Sequence, residues 1–264
     1  MDIKILVSTH KPYKMPEDTS LYLPVQVGCD EVTERFGYQG DNTGDNISYK
    51  HRWYSDLSAV YWGWKNLDCD YMGACHYRRY FVSNKRKPCK DRIFEYILSR
   101  DEVEALLKKC PVIVAKKRNY FIETNENQYI HAHNKKDMDL CRQVVTELYP
   151  DYLPKFNEVM GRTWQHKFNT FIMDRKHLDS YCTWLFSILF EIEKRTDLDA
   201  YDVYQGRVLG YLAERLLDVW LEHDQVEFQE VKLAMLEKQN WLLKGTNFLK
   251  RKFFKSARPF QESC

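Results

Sequence analysis

Short apolar runs alternate along this chain with longer segments in which apolar positions recur at helical spacing. Residues 3–8 read I-K-I-L-V-S and predict a first strand, with 9–13 the loop that leaves it, and 23–28 predict a second. Residues 71–75, 112–115 and 168–173 are further apolar runs, too short for a helix that must bury one face, so they read as buried strands. The helical segments begin at 55–65, where Ser55 is the expected cap and Asp56 falls in the first turn. Two more lie within 91–110, the second opened by Ser99 with Glu102 three residues on, which is a capping box. Helices are also predicted at 137–148, 177–194 and 204–221, the last two joined by a loop at 197–201. Three polar stretches read as loops: the glycine-containing 37–48, the basic 83–92, and the long aromatic 116–135. Alternation of strands and helices predicts an α/β fold with a helical carboxyl-terminal portion, without internal repeats and without a linker between globular halves.

One run breaks in an informative way. Tyr71 to Cys75 is apolar, and His76, Tyr77, Arg78, Arg79 and Tyr80 follow at once. Charge placed just beyond a buried strand lies at the carboxyl edge of an α/β sheet, where ligands bind. Two adjacent guanidiniums with aromatic neighbours suit a diphosphate, because Arg engages phosphate oxygens bidentately. The plainer alternative pairs Arg78 and Arg79 with carboxylates on neighbouring helices.

Composition narrows the class. Apolar residues make up 44% of the chain, enough for a packed core, which argues against disorder. Forty basic residues against 38 acidic ones leave +2, so the protein as a whole is not an electrostatic nucleic-acid binder, despite the basic stretch 85–92. The cysteines are scattered without a C-x-x-C pair; this points to a reducing compartment, the cytoplasm, and Cys75, Cys110 and Cys182 read as small core residues. The amino terminus, with Asp2 and a short apolar run, reads as a strand and not as a signal peptide. The longest apolar stretch, 184–190, is too short to span a bilayer. Between Lys232 and Arg258 every charged residue but Glu237 is basic, and aromatic residues are interleaved. That mixture predicts a carboxyl-terminal extension, 222–264, that is helical and docks on the inner membrane's cytoplasmic face; a helix packed on the main domain, 1–221, is the alternative.

Candidate chemistry is sparse. There is no phosphate loop, no G-x-G-x-x-G and no G-x-S-x-G elbow. Acid-x-acid pairs occur at Asp68/Asp70, Asp137/Asp139 and Asp197/Asp199, but the first precedes its strand, the wrong end for a metal facing a ligand crevice. Asp41, Asp45 and Asn46 in the glycine loop are better placed to meet a ligand, or else make turn hydrogen bonds. Asn169 interrupts an apolar run, and a buried amide needs a partner, either backbone or a sugar hydroxyl. His131, His133 and His166 could meet hydroxyls or serve structure. Glu214, followed by Arg215 on a helix behind Gly210, reads as a catalytic base or half of an internal salt bridge.

Five stretches in order, D-N-T-G-D-N-I-S, Y-W-G-W-K-N, H-Y-R-R-Y-F, H-K-F-N-T-F-I-M and R-V-L-G-Y-L-A-E-R-L-L, resemble the bacterial capsular- and exopolysaccharide-biosynthesis glycosyltransferases long filed as a domain of unknown function, which include β-galactofuranosyltransferases. The resemblance runs over about residues 3–221. It implies a GT-A-like, Rossmann-like nucleotide-sugar fold and an inverting hexosyl transfer from a UDP-sugar, best matched by galactofuranose or galactose. The acceptor would be a glycan of capsule, exopolysaccharide or O-antigen, free or lipid-linked. On this reading Asp41, Asp45, Asn46, His76, Arg78 and Arg79 hold the donor. His133, His166, Asn169 and Arg207, which opens the last motif, touch substrate, and Glu214, Asp41 or Asp45 is the base. Asn42 and Thr170 depart from the family's pattern, where an aspartate and a methionine stand; the first weakens any role needing paired acids there. H-Y-R-R occupies the place of the acid-x-acid metal pair of many GT-A enzymes, so the diphosphate is expected to be neutralised without a metal, with manganese or magnesium as the alternative. The competing class is a non-catalytic module that binds a nucleotide sugar or glycan in an assembly complex.

Overall fold

The computed structural model of the chain describes residues 1–83 and 90–236. The strands, in chain order, are β1 (Ile3–Thr9), β2 (Tyr22–Gln26), β3 (Gln39–Gly40), β4 (Tyr71–His76), β5 (Arg79–Phe81), β6 (Val112–Ala115), β7 (Arg118–Asn119), β8 (Trp164–Gln165), β9 (Phe171–Asp174), β10 (Phe228–Val231) and β11 (Leu233–Met235). The helices are α1 (His51–Tyr54), α2 (Leu57–Asn66), α3 (Arg100–Leu107), α4 (Asn125–Ala132), α5 (Lys135–Leu148), α6 (Leu153–Gly161), α7 (Arg175–Lys194) and α8 (Val208–His223).

The main sheet runs β10-β6-β9-β4-β1-β2-β3, with β5 bridging β4 to β11, while β7 and β8 pair separately. Along that path only β9 is antiparallel, between β4 and β6. Six strands therefore present their carboxyl ends at one edge. The chain moves outward from β1 to β2 and β3, then returns to place β4 on β1's other side. The strand order thus reverses between β1 and β4, the point where open α/β sheets form a ligand crevice beyond the strand ends.

Both faces of the sheet are covered, which is why its strands read as unbroken apolar runs. Leu6, Met72, Ala74, Val112, Val114, Phe171 and Met173 face the larger core, under α2 and α5 to α8. Their alternates Ile5, Val7, Cys75, Ile113, Ala115 and Ile172 face the smaller one, with Val103 and Leu107 of α3. Gly63 lets α2 lie on the sheet: a Cβ there would come within 2.5 Å of Leu6 and 2.7 Å of Met72. No helix among the described residues is long and apolar enough to cross a membrane. The mixed sheet with covering helices matches the expected α/β, GT-A-like class.

Several local expectations need correction. The helix expected at 55–65 begins at Leu57, and Ser55 is not its cap. Ser55 ends α1 with φ 52° and ψ −135°, breaking one helical run into two. The strand expected at 168–173 begins at Phe171, because Phe168 and Asn169 take φ 77° and 47° in a left-handed turn. The presumed loop 116–135 contains β7 and α4, the latter capped by Thr124. Past residue 222, the described chain ends α8 and then forms β10 and β11, strands where a helical extension was expected; β10 buries Val231 beside β6. The basic, aromatic stretch 237–264 and most of the basic loop 83–92 lie outside the described residues. The capping box at Ser99 and Glu102 forms as expected.

Candidate active site

A cavity of about 340 Å³ opens at the switch point, within the size range of small-molecule sites. His10 and His76 line it, each at the carboxyl end of a strand, β1 and β4. Arg78 lines it from the turn after β4, and His51, Arg52 and Asp56 from α1 and the turn beyond it. The outer rim is 198–207, including Asp199, Asp202 and Arg207.

The turn that carries Asp56 is fixed from several sides. The Ser55 carbonyl accepts from Ser58 N at 3.1 Å, and the His51 Nδ1 atom lies 3.0 Å from it. Its hydroxyl accepts from Arg207 Nε at 3.0 Å, tying the turn to the start of α8. Gly210 lets α8 come this close, since a Cβ there would stand 3.2 Å from the Tyr54 carbonyl. A serine at φ 52° costs on the order of 1–3 kcal/mol, and such strain persists where the surroundings over-determine it. The result points Asp56 inward instead of along a helix.

Asp199 is paired with Arg52 at 2.5 Å, and Asp202 accepts from Tyr204 N and Gln205 N. The partly buried Asp56 carboxylate forms no hydrogen bond among the described residues. Its burial favours the neutral acid, yet His76, Arg207, Arg79 and His51 outweigh that and hold it below the usual carboxylate range. His76 is buried, and desolvation lowers it to about 3; Asp56 pulls the other way, while Arg79, Arg78 and His10 add to the lowering. The imidazole is therefore neutral near pH 7, with Nδ1 accepting from Arg78 N at 3.3 Å. An ionised carboxylate among guanidiniums and the neutral His76 imidazole suits an anionic ligand together with a proton to be accepted.

Of the residues expected from sequence, the cavity brings together His76, Arg78 and Arg207. Arg79, on β5, stacks its guanidinium 4.2 Å over Phe168 while its charge acts on Asp56 and His76. The others lie outside the cavity's lining. Asp41 is fully buried and accepts from Gly28 N, Cys29 N and Ser48 Oγ, so both oxygens are committed to folding the loop over Gly28. Asp45 accepts from Tyr61 Oη at 3.2 Å, and Asn46 closes a turn onto Gly44 O and Ser48 N. Neither lines the cavity. His166 is buried with both ring nitrogens on carboxylates, Asp218 and, at 3.1 Å, Glu230, which leaves no atom for a sugar hydroxyl. His133 stacks on Tyr211 and Tyr204 behind the rim, with ring centroids 4.2 and 5.5 Å away. Asn169 donates to Gly210 O at 3.3 Å, and its buried Oδ1 has no hydrogen-bond partner among the described residues. Glu214 is half-buried on α8, outside the lining, and Arg215 bonds to Tyr211 O and Gln128 instead of pairing with it. His10, His51, Asp56 and the rim apart from Arg207 were missed. Only His10 carried a local signal, a polar residue just past the first strand.

A family described as a domain of unknown function, DUF4422, matches residues 4–225, and the chain belongs to it. No curated protein matches the chain. Among solved structures it is similar to the apo structure of the WbbM bifunctional glycosyltransferase, with a TM-score of 0.80 and 27% identity. The likeness covers 90% of this chain and 46% of that one, so the chain spans about half the length of WbbM's.

Proposed function

We propose that this member of the family is an inverting glycosyltransferase that moves a sugar from a nucleoside-diphosphate donor to a hydroxyl of a glycan. The observation that carries the reading is Asp56, an uncommitted carboxylate ringed by Arg78, Arg79, Arg207 and His76 at the switch point of the sheet. The likeness to a glycosyltransferase supports it at the level of reaction class.

In this scheme the acceptor oxygen attacks the anomeric carbon as its bond to the diphosphate breaks. The leaving diphosphate gains charge, which the guanidiniums stabilise. The hydroxyl proton passes to Asp56. Donor binding prepares this step: phosphates placed among the cations offset their pull on Asp56 and raise its proton affinity when a base is needed. His76, kept neutral, contributes hydrogen bonding without repelling the arginines. Asp56 replaces Glu214 as the base, and the fixed cations carry the role a metal has in other enzymes of this fold.

UDP-galactofuranose and UDP-galactose are the first donors to try, given the motifs shared with exopolysaccharide enzymes. The test is UDP release from a panel of UDP-sugars with glycan acceptors, in the presence and absence of EDTA. Acceptor-dependent release that survives EDTA is expected. Tight donor binding without turnover across the panel would make the chain a binding module, and loss of activity restored by manganese would return charge neutralisation to a metal.

A further inference from the structure

Between β7 and α4 a tight turn holds two large apolar side chains in solvent. Phe121 is 82% exposed and Ile122 59%; among the described residues they are the only exposed large apolar pair adjacent in sequence. The turn is fixed. Phe121 N donates to Asn119 Oδ1 at 2.6 Å, Ile122 N to Tyr120 O at 2.7 Å, and Tyr120 N to Thr163 O at 2.7 Å. Gln165 Nε2 donates to the Tyr120 hydroxyl at 2.7 Å, and Glu123 is buried against His131. Phe121 has φ 64°, which a bulky residue rarely takes. Apolar area is thus held out of the core at a conformational cost.

The surroundings of this tip are basic. Lys116 and Lys117 lead into it and are exposed, Arg118 follows, and Lys167 lies over the Tyr120 ring at 4.9 Å. The acid facing them is Glu230, 3.8 Å from Lys117. Because the tip follows β6, which runs parallel to β4, it projects from the sheet edge that carries the cavity.

We propose that this turn docks the protein on an anionic lipid surface. Phe121 and Ile122 enter the boundary between headgroups and acyl chains, and the lysines face lipid phosphates. The basic collar favours this occupant over an apolar groove on another protein, since charge complementarity comes from the headgroups. Docking by this edge would turn the cavity toward the membrane.

The test is co-sedimentation of the full chain with vesicles of phosphatidylcholine, with and without phosphatidylglycerol. Wild type is expected to bind only the anionic vesicles, and more weakly as salt rises. The double variant Phe121→Ser, Ile122→Ser should lose about tenfold or more of the partitioning. Its melting temperature and UDP affinity should stay unchanged, which separates this docking from the cavity's chemistry. A smaller loss, equal binding to neutral vesicles, no binding by wild type, or lipid-free self-association that the double variant abolishes would each overturn the proposal, the last by assigning the tip to a second copy of the chain.

Discussion

His76 and His166 are both buried, with 5% and 2% of their surface exposed, and both sit among charged side chains, yet their proton affinities shift in opposite directions. At His76 desolvation together with Arg79, Arg78 and His10 overcomes Asp56 and keeps the ring neutral. Around His166 carboxylates prevail. Burial again opposes the charged form, but hydrogen bonds and charge from Asp218 and Glu230 outweigh it and hold the imidazole above its ordinary value. Arg162 joins the second cluster, reaching Asp218 at 3.0 Å and also Glu222. That network is complete. It ties the segment before β9 to α8 and β10, and it makes no call on a ligand. The first cluster surrounds a carboxylate that forms no hydrogen bond among the described residues. A paired ionic network serves the fold, whereas a perturbed carboxylate in a cavity is a candidate for chemistry.

The largest effect expected from disturbing this contrast is at Asp56. Asp56→Asn should keep or improve donor affinity and lose transfer by about 100-fold or more, the usual scale for a general base. Unchanged turnover at saturating donor would remove Asp56 from the reaction. His166→Gln leaves Asp218 and Glu230 without their central partner, and breaking a buried network of this kind costs about 3–5 kcal/mol. It should show as a lower denaturant midpoint, with UDP affinity retained in the folded fraction.

The two histidines should also tilt stability against pH in opposite directions. His166 is raised, so its contribution is fully present below the ordinary 6.5 and is lost as pH climbs through the elevated value. His76 is lowered, so its contribution is present above 6.5 and is lost as pH falls from there toward about 3. Unfolding curves across pH should lose the first slope in His166→Gln and the second in His76→Gln. Identical profiles for both variants would contradict the opposite shifts. The smallest effect is expected at Asp45, where Asn should cost about 1 kcal/mol through the Tyr61 hydrogen bond and leave UDP affinity alone. A large rise in donor KM there would return the glycine loop to the donor site.

What could be read from sequence follows from how local each signal is. The strands were legible because burial on both faces leaves an unbroken apolar run, and Arg78 because charge directly beyond such a run falls at the sheet's ligand edge. Asp56 was not. In sequence it is an ordinary first-turn aspartate, and its aim depends on the left-handed Ser55 and on Arg207, 152 residues beyond Ser55. His166 looked free to meet hydroxyls because its partners lie 52 and 64 residues downstream. Asp41 looked exposed in a polar loop, whereas the loop folds back so that Gly28 and Cys29 donate to it. The strands after 226 are short and carry charge, so their pairing with β6 and β5 overrides a sequence that signals neither strand nor helix strongly.

The central claim, that the basic cavity holds the donor's diphosphate, is tested most directly by calorimetric titration of UDP into wild type, Arg78→Ala, Arg78→Lys and His166→Gln. We expect Arg78→Ala to weaken UDP by about tenfold or more, with little recovered by Lys, because a point charge cannot reproduce the guanidinium fork. His166→Gln should bind as wild type does. Equal UDP affinity in wild type and Arg78→Ala, or a loss confined to His166→Gln, would contradict the account and move the donor site away from the switch point.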